Sequence, residues 1–471
     1  MLSATNGHVL PPFASILSQR DSTGSALADS EPNLLCPILA LPVEITSEIF
    51  LHCVLAHLPV EHTLQPTPSS PSDKPPLLLT RICRQWRMIA LSMPELWCHV
   101  ALEFRASRGL RRGYLDSWWV SFLHRWFDRA QNQPLSILIS DSTYVEPDEG
   151  LVLLLDRHRQ RWRDVTINLP FNQFYRFSSS ESMPKLQRLA LDAFNVPHTP
   201  AVVDPITAFQ HAPALEHLFL GYSLRPSQFI LPWEQLTTLE LINSTAEDCL
   251  NCLRQTPKLT TCSVEVEDSI TGMHSAVPAL RRLTALTVRG SVPTFIFSYI
   301  TLPSLEALDL SGRSLMEDEL SGARTLIERS QAQLRRLRIY FIAQILTTPA
   351  LQLLQALPAL AALDLDATEA STLAGLFRRL AADGSFLPQL ERLALTHHRV
   401  HDENTAAMLC ALTDALVRRA ARSPEHVQLC AVSLLVGHGE TTPEPWMLPL
   451  WWELVDRGMA LNIRTRHDRW I

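Results

Sequence analysis

The chain has 471 residues, 46% of them hydrophobic, and carries a formal net charge of −7 at neutral pH. That balance excludes a natively disordered chain and gives no general attraction to nucleic acid or to acidic membranes. No run of about 18 uncharged apolar residues occurs, so no membrane-spanning helix is expected, and no basic start followed by an apolar run marks a secretory leader.

Residues 1–33 are rich in Ser, Ala, Gly and Pro without periodicity, which predicts a flexible tail. Residues 34–104 form the first predicted domain. A helix opens at Leu41, Pro42, because proline is favoured at a first helical position. Ile45, Ile49 and Cys53 then recur at helical spacing, with Phe50 and Val54 beside them. A second amphipathic helix reads Leu78, Leu79, Ile82, Cys83, Trp86, Ile89 and Ala90, with Arg81, Arg84, Gln85 and Arg87 on or near its polar side. Ser92, Met93, Pro94 ends it. Leu96, Trp97 and a strand-like run at residues 100–104 follow. Between the helices, residues 59–76 are a proline- and serine-rich insertion, expected to be an exposed loop.

Two short helices cannot bury a core alone and need a partner chain or the next domain. Leu41, Pro42, then Glu44, Ile45, then Ile49, Phe50, then the Ile82–Trp86 run and the closing Leu96, Trp97 stand in the order of an F-box, and this segment resembles one, with the long insertion found in many fungal F-box proteins. The resemblance implies docking on a Skp-family adaptor of cullin-type ubiquitin ligases. The residues it assigns to adaptor binding are Leu41, Pro42, Ile45, Ile49, Phe50, Ile82 and Trp86. Some of these must pack inside, Trp86 being the best candidate.

Residues 105–161 read as a connector, with a helix at 114–131 and a short strand at 134–139. From residue 162 to 471 one phrase returns: an apolar residue, then others three and five positions later. Clear copies include Leu186/Leu189/Leu191, Leu236/Leu239/Leu241, Leu305/Leu308/Leu310, Leu334/Leu337/Ile339 and Leu390/Leu393/Leu395. Weaker ones are Trp162/Val165/Ile167 and Leu429/Val432/Leu434. The clear copies start about 21 to 30 residues apart, often with a proline two before, as at Pro184, Pro213 and Pro303. That is the leucine-rich-repeat phrase and period. Helices fit between the strands at 246–255, 318–330, 371–382 and 405–421. The predicted fold class is therefore α/β: a short helical F-box followed by an irregular leucine-rich-repeat solenoid, parallel strands inside and helices outside. The asparagine that usually follows each strand is missing, with Phe194, Ser244 and Arg313 in its place, which is why irregularity is expected. The pairing of box and repeats resembles F-box leucine-rich-repeat proteins. It implies a substrate receptor that performs no bond chemistry itself. The other reading is an interaction scaffold whose helical segment only caps the solenoid.

No glycine-rich phosphate loop and no nucleophile elbow occur, and no catalytic residue, metal or cofactor is expected. Cys249 and Cys252 form a lone C-x-x-C without the second pair that a structural zinc site needs. His397, His398, His401, Asp402 and Glu403 form a polar cluster directly after a strand, where a loop belongs. The nine cysteines have no regular spacing, which points to reduced thiols and a cytoplasmic or nuclear home. The basic run at 157–163 fits a solvated helix end better than a nucleic-acid patch. The expected partners are the adaptor with its cullin complex and a protein substrate, with no nucleic acid and no membrane. On each strand the residues between the inward leucines face outward. Arg336, Arg338 and Tyr340 on one strand and Asp364 and Asp366 on the next thus become neighbours, and are expected to bind the target.

Overall fold

The computed structural model describes residues 37–55, 75–104, 117–141, 149–178, 180–196, 204–268, 275–290, 294–312, 317–342, 348–367, 369–397, 403–421, 429–437, 442–465 and 469–471. The N-terminal tail, almost all of the 59–76 insertion, Arg313, and His398, His401 and Asp402 lie outside these.

Among the described residues, a single sheet of fourteen strands runs in sequence order. Its strands are β1 (His99–Phe104), β2 (Leu135–Asp141), β3 (Trp162–Pro170), β4 (Arg188–Phe194), β5 (His217–Leu220), β6 (Thr238–Thr245) and β7 (Thr261–Asp268). They continue as β8 (Ala285–Gly290), β9 (Ala307–Ser311), β10 (Arg336–Ile342), β11 (Ala362–Ala367), β12 (Arg392–His397), β13 (Ala431–Leu435) and β14 (Ala460–Arg464). Every neighbouring pair is parallel, for example Leu308 against Leu337 and Leu337 against Leu363. The order of strands with helices between them is that of an α/β solenoid.

The repeated phrase explains the sheet. Its second residue builds one continuous row from Val100 and Ile137 through Leu189, Cys262 and Leu337 to Leu461, none more than 6% exposed. Its third builds a parallel row from Leu102 through Leu191, Val264 and Ile339 to Ile463, none more than 2% exposed. Strand side chains alternate, so only a period of two inside the phrase can keep both rows on one face. The residues between them alternate in exposure, as in the pattern of β12, and form the open face.

Helices cover the other face, four of them where the sequence places them. They are α5 (Glu149–Arg157), α6 (Ala246–Gln255), α7 (Thr294–Tyr299), α8 (Glu317–Ser330), α9 (Thr348–Gln355), α10 (Ala370–Ala382), α11 (Thr405–Ala420) and α12 (Met447–Asp456). Thr245 caps α6: its hydroxyl oxygen accepts from the Asp248 N–H at 3.1 Å. Between β3 and β6 the coverage is different. Short 3-10 turns replace α-helices there, and Phe171, Phe174, Phe177, Phe209 and Phe229 fill the space. Asn195 and Asn243 adopt left-handed backbone at φ 56° and 54°, one position from the residues where a ladder asparagine was looked for.

The solenoid begins earlier than residue 162. β1 and β2 carry the same inward rows and pair in register, so the expected connector and the end of the expected first domain are parts of the sheet. Trp97, Val100 and Leu102 repeat the spacing of the later phrases. At the far end β14 is a strand that the periodicity did not reveal, since Gly458 occupies the first position of its phrase. Trp470 and Ile471 pair back on Ile463 and cover its outer edge.

Candidate functional site

Two surfaces stand out, one at each end of the sheet. The first is helical. α1 (Val43–Leu55) buries Thr46, Phe50 and Val54, an i, i+4, i+8 stripe. The sequence pattern joined Ile45, Ile49 and Cys53 with Phe50 and Val54 in one apolar face, which the structure divides. Phe50 is fully buried and Trp86 is half-buried against it, with ring centroids 5.0 Å apart. Phe50 therefore belongs to the core, contrary to its expected place on a docking surface.

The predicted second helix is two. α2 (Leu79–Ile82) stops at Cys83, whose backbone is extended, and α3 (Arg84–Ser92) restarts there. The Cys83 sulfur accepts from the Trp86 N–H at 3.4 Å and caps the new helix. Behind α3 the indole of Trp97 donates to the Ala90 carbonyl at 2.9 Å. Trp97 also stands edge-on to Trp126 of α4 (Ser117–Arg129), with the Arg129 guanidinium 4.4 Å from its ring centre. The last residue of the helical motif is thus the first residue of the solenoid core.

What the helices leave outside is unusual. Ile38, Val43, Ile45, Leu55, Leu78, Ile82, Met88 and Leu91 are each 37–64% exposed, and they make up eight of the fifteen exposed large apolar side chains among the described residues. Leu41 and Ile49 are half-buried, and Pro42 is exposed. Large apolar side chains concentrated in so short a segment mark an interaction surface.

The second surface lies on the open face of β9 to β14. Arg338 donates to Asp364 at 2.8 Å, and its guanidinium lies 3.7 Å from Asp309 and 5.6 Å from the centre of the Tyr340 ring. Burial works against the Arg338 charge, but the hydrogen bond to Asp364 with Tyr340 and Asp309 nearby outweighs it, and its pKa rises. Burial also raises the pKa of Asp309 despite Arg338, in keeping with the longer of the two separations. Tyr340 is shifted upward by burial as well. Asp366 is only 7% exposed, so it is not part of an open recognition patch. Of the five residues expected to bind a target, Arg338 and Asp364 satisfy each other, Tyr340 is half-buried, and Arg336 is exposed.

Beside that pair the open face forms a groove of about 700 Å³. Its walls include Arg336 and Arg392, and also Arg464 and Arg469, which sequence reading missed. β14 was unrecognised, and Arg469 reaches the groove only because the segment after β14 turns back.

Elsewhere the chemistry is structural. Cys249, Cys252 and Cys262 are buried, and burial raises their thiol pKa values, that of Cys262 to about 12. Such thiols are inert at neutral pH. No group of three metal-ligating side chains occurs among the described residues, and no described helix is long and apolar enough to cross a membrane. His397 is buried in the sheet rather than displayed on a loop. Arg159, fully buried, donates to Asp156 at 2.9 Å and to the carbonyls of Ser178 and Ala208.

No family model matches the sequence, and no curated protein does. Among solved structures, a protein of Bacteroides fragilis aligns over 59% of this chain and 65% of its own, at 13% identity and a TM-score of 0.30. Likeness at that level says nothing about function.

Proposed function

We propose that this chain is a substrate receptor of a cullin-type ubiquitin ligase, with an F-box at residues 41–97 that takes a Skp-family adaptor and a repeat domain that holds a protein target. The observation that carries the reading is the concentration of exposed apolar side chains, among them Val43, Ile45, Leu78, Ile82 and Met88, within the segment whose residue order resembles an F-box. Leu41, Pro42 and Ile49 belong to the docking surface, while Phe50 and Trp86 support it from within. The chain itself makes and breaks no bonds, needs no cofactor, and works in the cytoplasm or nucleus with the ligase.

Co-purification with the adaptor is the test. Ile45→Glu with Ile82→Glu places two charges on exposed positions, so the fold should keep its melting temperature while adaptor binding is lost. Undiminished binding by a folded double variant rejects the F-box. The second reading is a scaffold whose helices only cap the sheet. It is favoured by the continuity of one core from Phe50 through Trp97 to Val100. Under that reading the double variant changes nothing and wild-type protein brings down no adaptor.

A further inference from the structure

We propose that the groove over β11 to β14 binds an extended acidic segment of a partner protein. The proposal rests on the reading that a target sits on the open face, and not on the adaptor contact.

The charge of the groove is one-sided. Arg336, Arg392, Arg464 and Arg469 line it, and none forms an ion pair with an aspartate or glutamate among the described residues, although Arg469 donates to the Ile471 oxygen at 3.2 Å. Asp364, the acidic residue in its wall, is already held by Arg338 at 2.8 Å. In a chain of net charge −7, four arginines in one groove without an aspartate or glutamate ion-pair partner are a local reversal of the field.

Their placement is set by the register. Arg336 and Arg392 both pair with Ala362 from opposite sides, so their strands are two spacings apart, about 9.6 Å. Arg464 and Arg469 face one another across an antiparallel bridge. Like charges directly opposite are destabilising, and an anion between them removes the repulsion.

The floor is shaped for a main chain. Ala362, Ala394, Ala431 and Ala460 keep it low, so a peptide backbone can lie close to the sheet. Ser433 and Asn462 are paired in register in the middle and offer hydrogen-bonding groups to peptide amides. A nucleic acid fits less well. The groove wall holds no aromatic ring on which a base could stack, and Asp309 and Asp364 border one side.

The test uses the full chain and a fluorescently labelled peptide of alternating glutamate and serine, its glutamine counterpart, and a single-stranded oligonucleotide, read by anisotropy at low and high salt. The glutamate peptide should bind, weaken as salt rises, and lose about 10-fold in affinity in Arg392→Glu with Arg464→Glu. The glutamine peptide should bind about 10-fold more weakly or not at all. Arg392→Gln with Arg464→Gln, which removes charge without reversing it, should weaken binding in the same direction if the first variant fails to fold. Absence of binding by the glutamate peptide, equal binding of the glutamine peptide, unchanged affinity in the folded variants, or tighter binding of the oligonucleotide would each overturn the proposal. Adaptor co-purification is measured in parallel. Its loss in wild-type protein bears on the F-box, and its retention in the groove variants shows that the two surfaces fail or succeed separately.

Discussion

His158 is the residue whose protonation the fold controls most visibly. It stands 5.0 Å from the Phe127 ring, and Arg161 lies 3.4 Å from its Nδ1. Burial, then Arg161 and Arg157, lower its pKa from 6.5 to about 4. Between those values the unfolded chain binds a proton that the folded chain does not, so stability falls as pH drops from 6.5 towards 4. His158→Gln should flatten that part of the unfolding free energy against pH by about 1–2 kcal/mol, allowing for partial exposure, and leave neutral pH unaffected. An unchanged acid slope in the variant rejects this assignment. A second sensitive position is Gly290, at φ +115°, where an added Cβ would sit 2.0 Å from the Val266 carbonyl oxygen. Gly290→Ala combines a left-handed backbone with a clash against a neighbouring strand. It should cost at least about 1–3 kcal/mol in denaturant unfolding, and a neutral substitution would show that β7 and β8 can separate there.

At the scale of elements, each strand contributes two inward side chains and each helix the lid over them. Leu363 is buried on both flanks by Leu337 and Leu393. Leu363→Ala should therefore cost about 2–5 kcal/mol, measured by chemical denaturation, whereas Asp364→Asn on the open face should cost about 1 kcal/mol or less. α1 leaves three large apolar side chains exposed, more than any solenoid helix among the described residues. Thr46, Phe50 and Val54 bury one stripe, while Val43, Ile45 and Leu55, at other positions around the helix, are each about half exposed. A surface helix held only for packing would carry charge there. This is why charge at Ile45 and Ile82 is expected to act on binding and not on folding.

For the whole molecule, the buried side chains form one cluster from Phe50 to Ile471. Helical segment and solenoid share Trp97, which is fully buried, so they are expected to unfold together. Trp97→Ala should lower stability by about 3–5 kcal/mol and shift a single transition, as followed by calorimetry. Removal of residues 1–92 should lower the melting temperature of what remains, because Leu96 and Trp97 lose cover. A solenoid that melts unchanged without those residues would make the helices an independent domain.

The leucine phrase by itself determined strands β3 to β13, their parallel order and the side of the sheet that is buried, because a period of two inside a longer period keeps the repeated apolar residues on one face. Leu189, Leu337 and Leu393 could be placed in a common row before any coordinates. Helix positions such as Ala246–Gln255 were equally legible, since local spacing decides them. The helical motif was legible as order, from Leu41 to Trp97, but not as orientation: Phe50 and Ile45 are both apolar on one helix, and only the neighbour that Phe50 finds in Trp86 sends one in and the other out. Tertiary structure alone decided the charges. Arg338 and Arg392 read alike in sequence, yet the register gives Arg338 two carboxylate neighbours and gives Arg392 alanines on both sides. Partners for a charge come from adjacent strands that are some thirty residues away in the chain, and Arg464 and Arg469 meet only because the segment after β14 folds back. Burial can be read from a local pattern, whereas the net field of a groove is a sum over strands that only the register brings together.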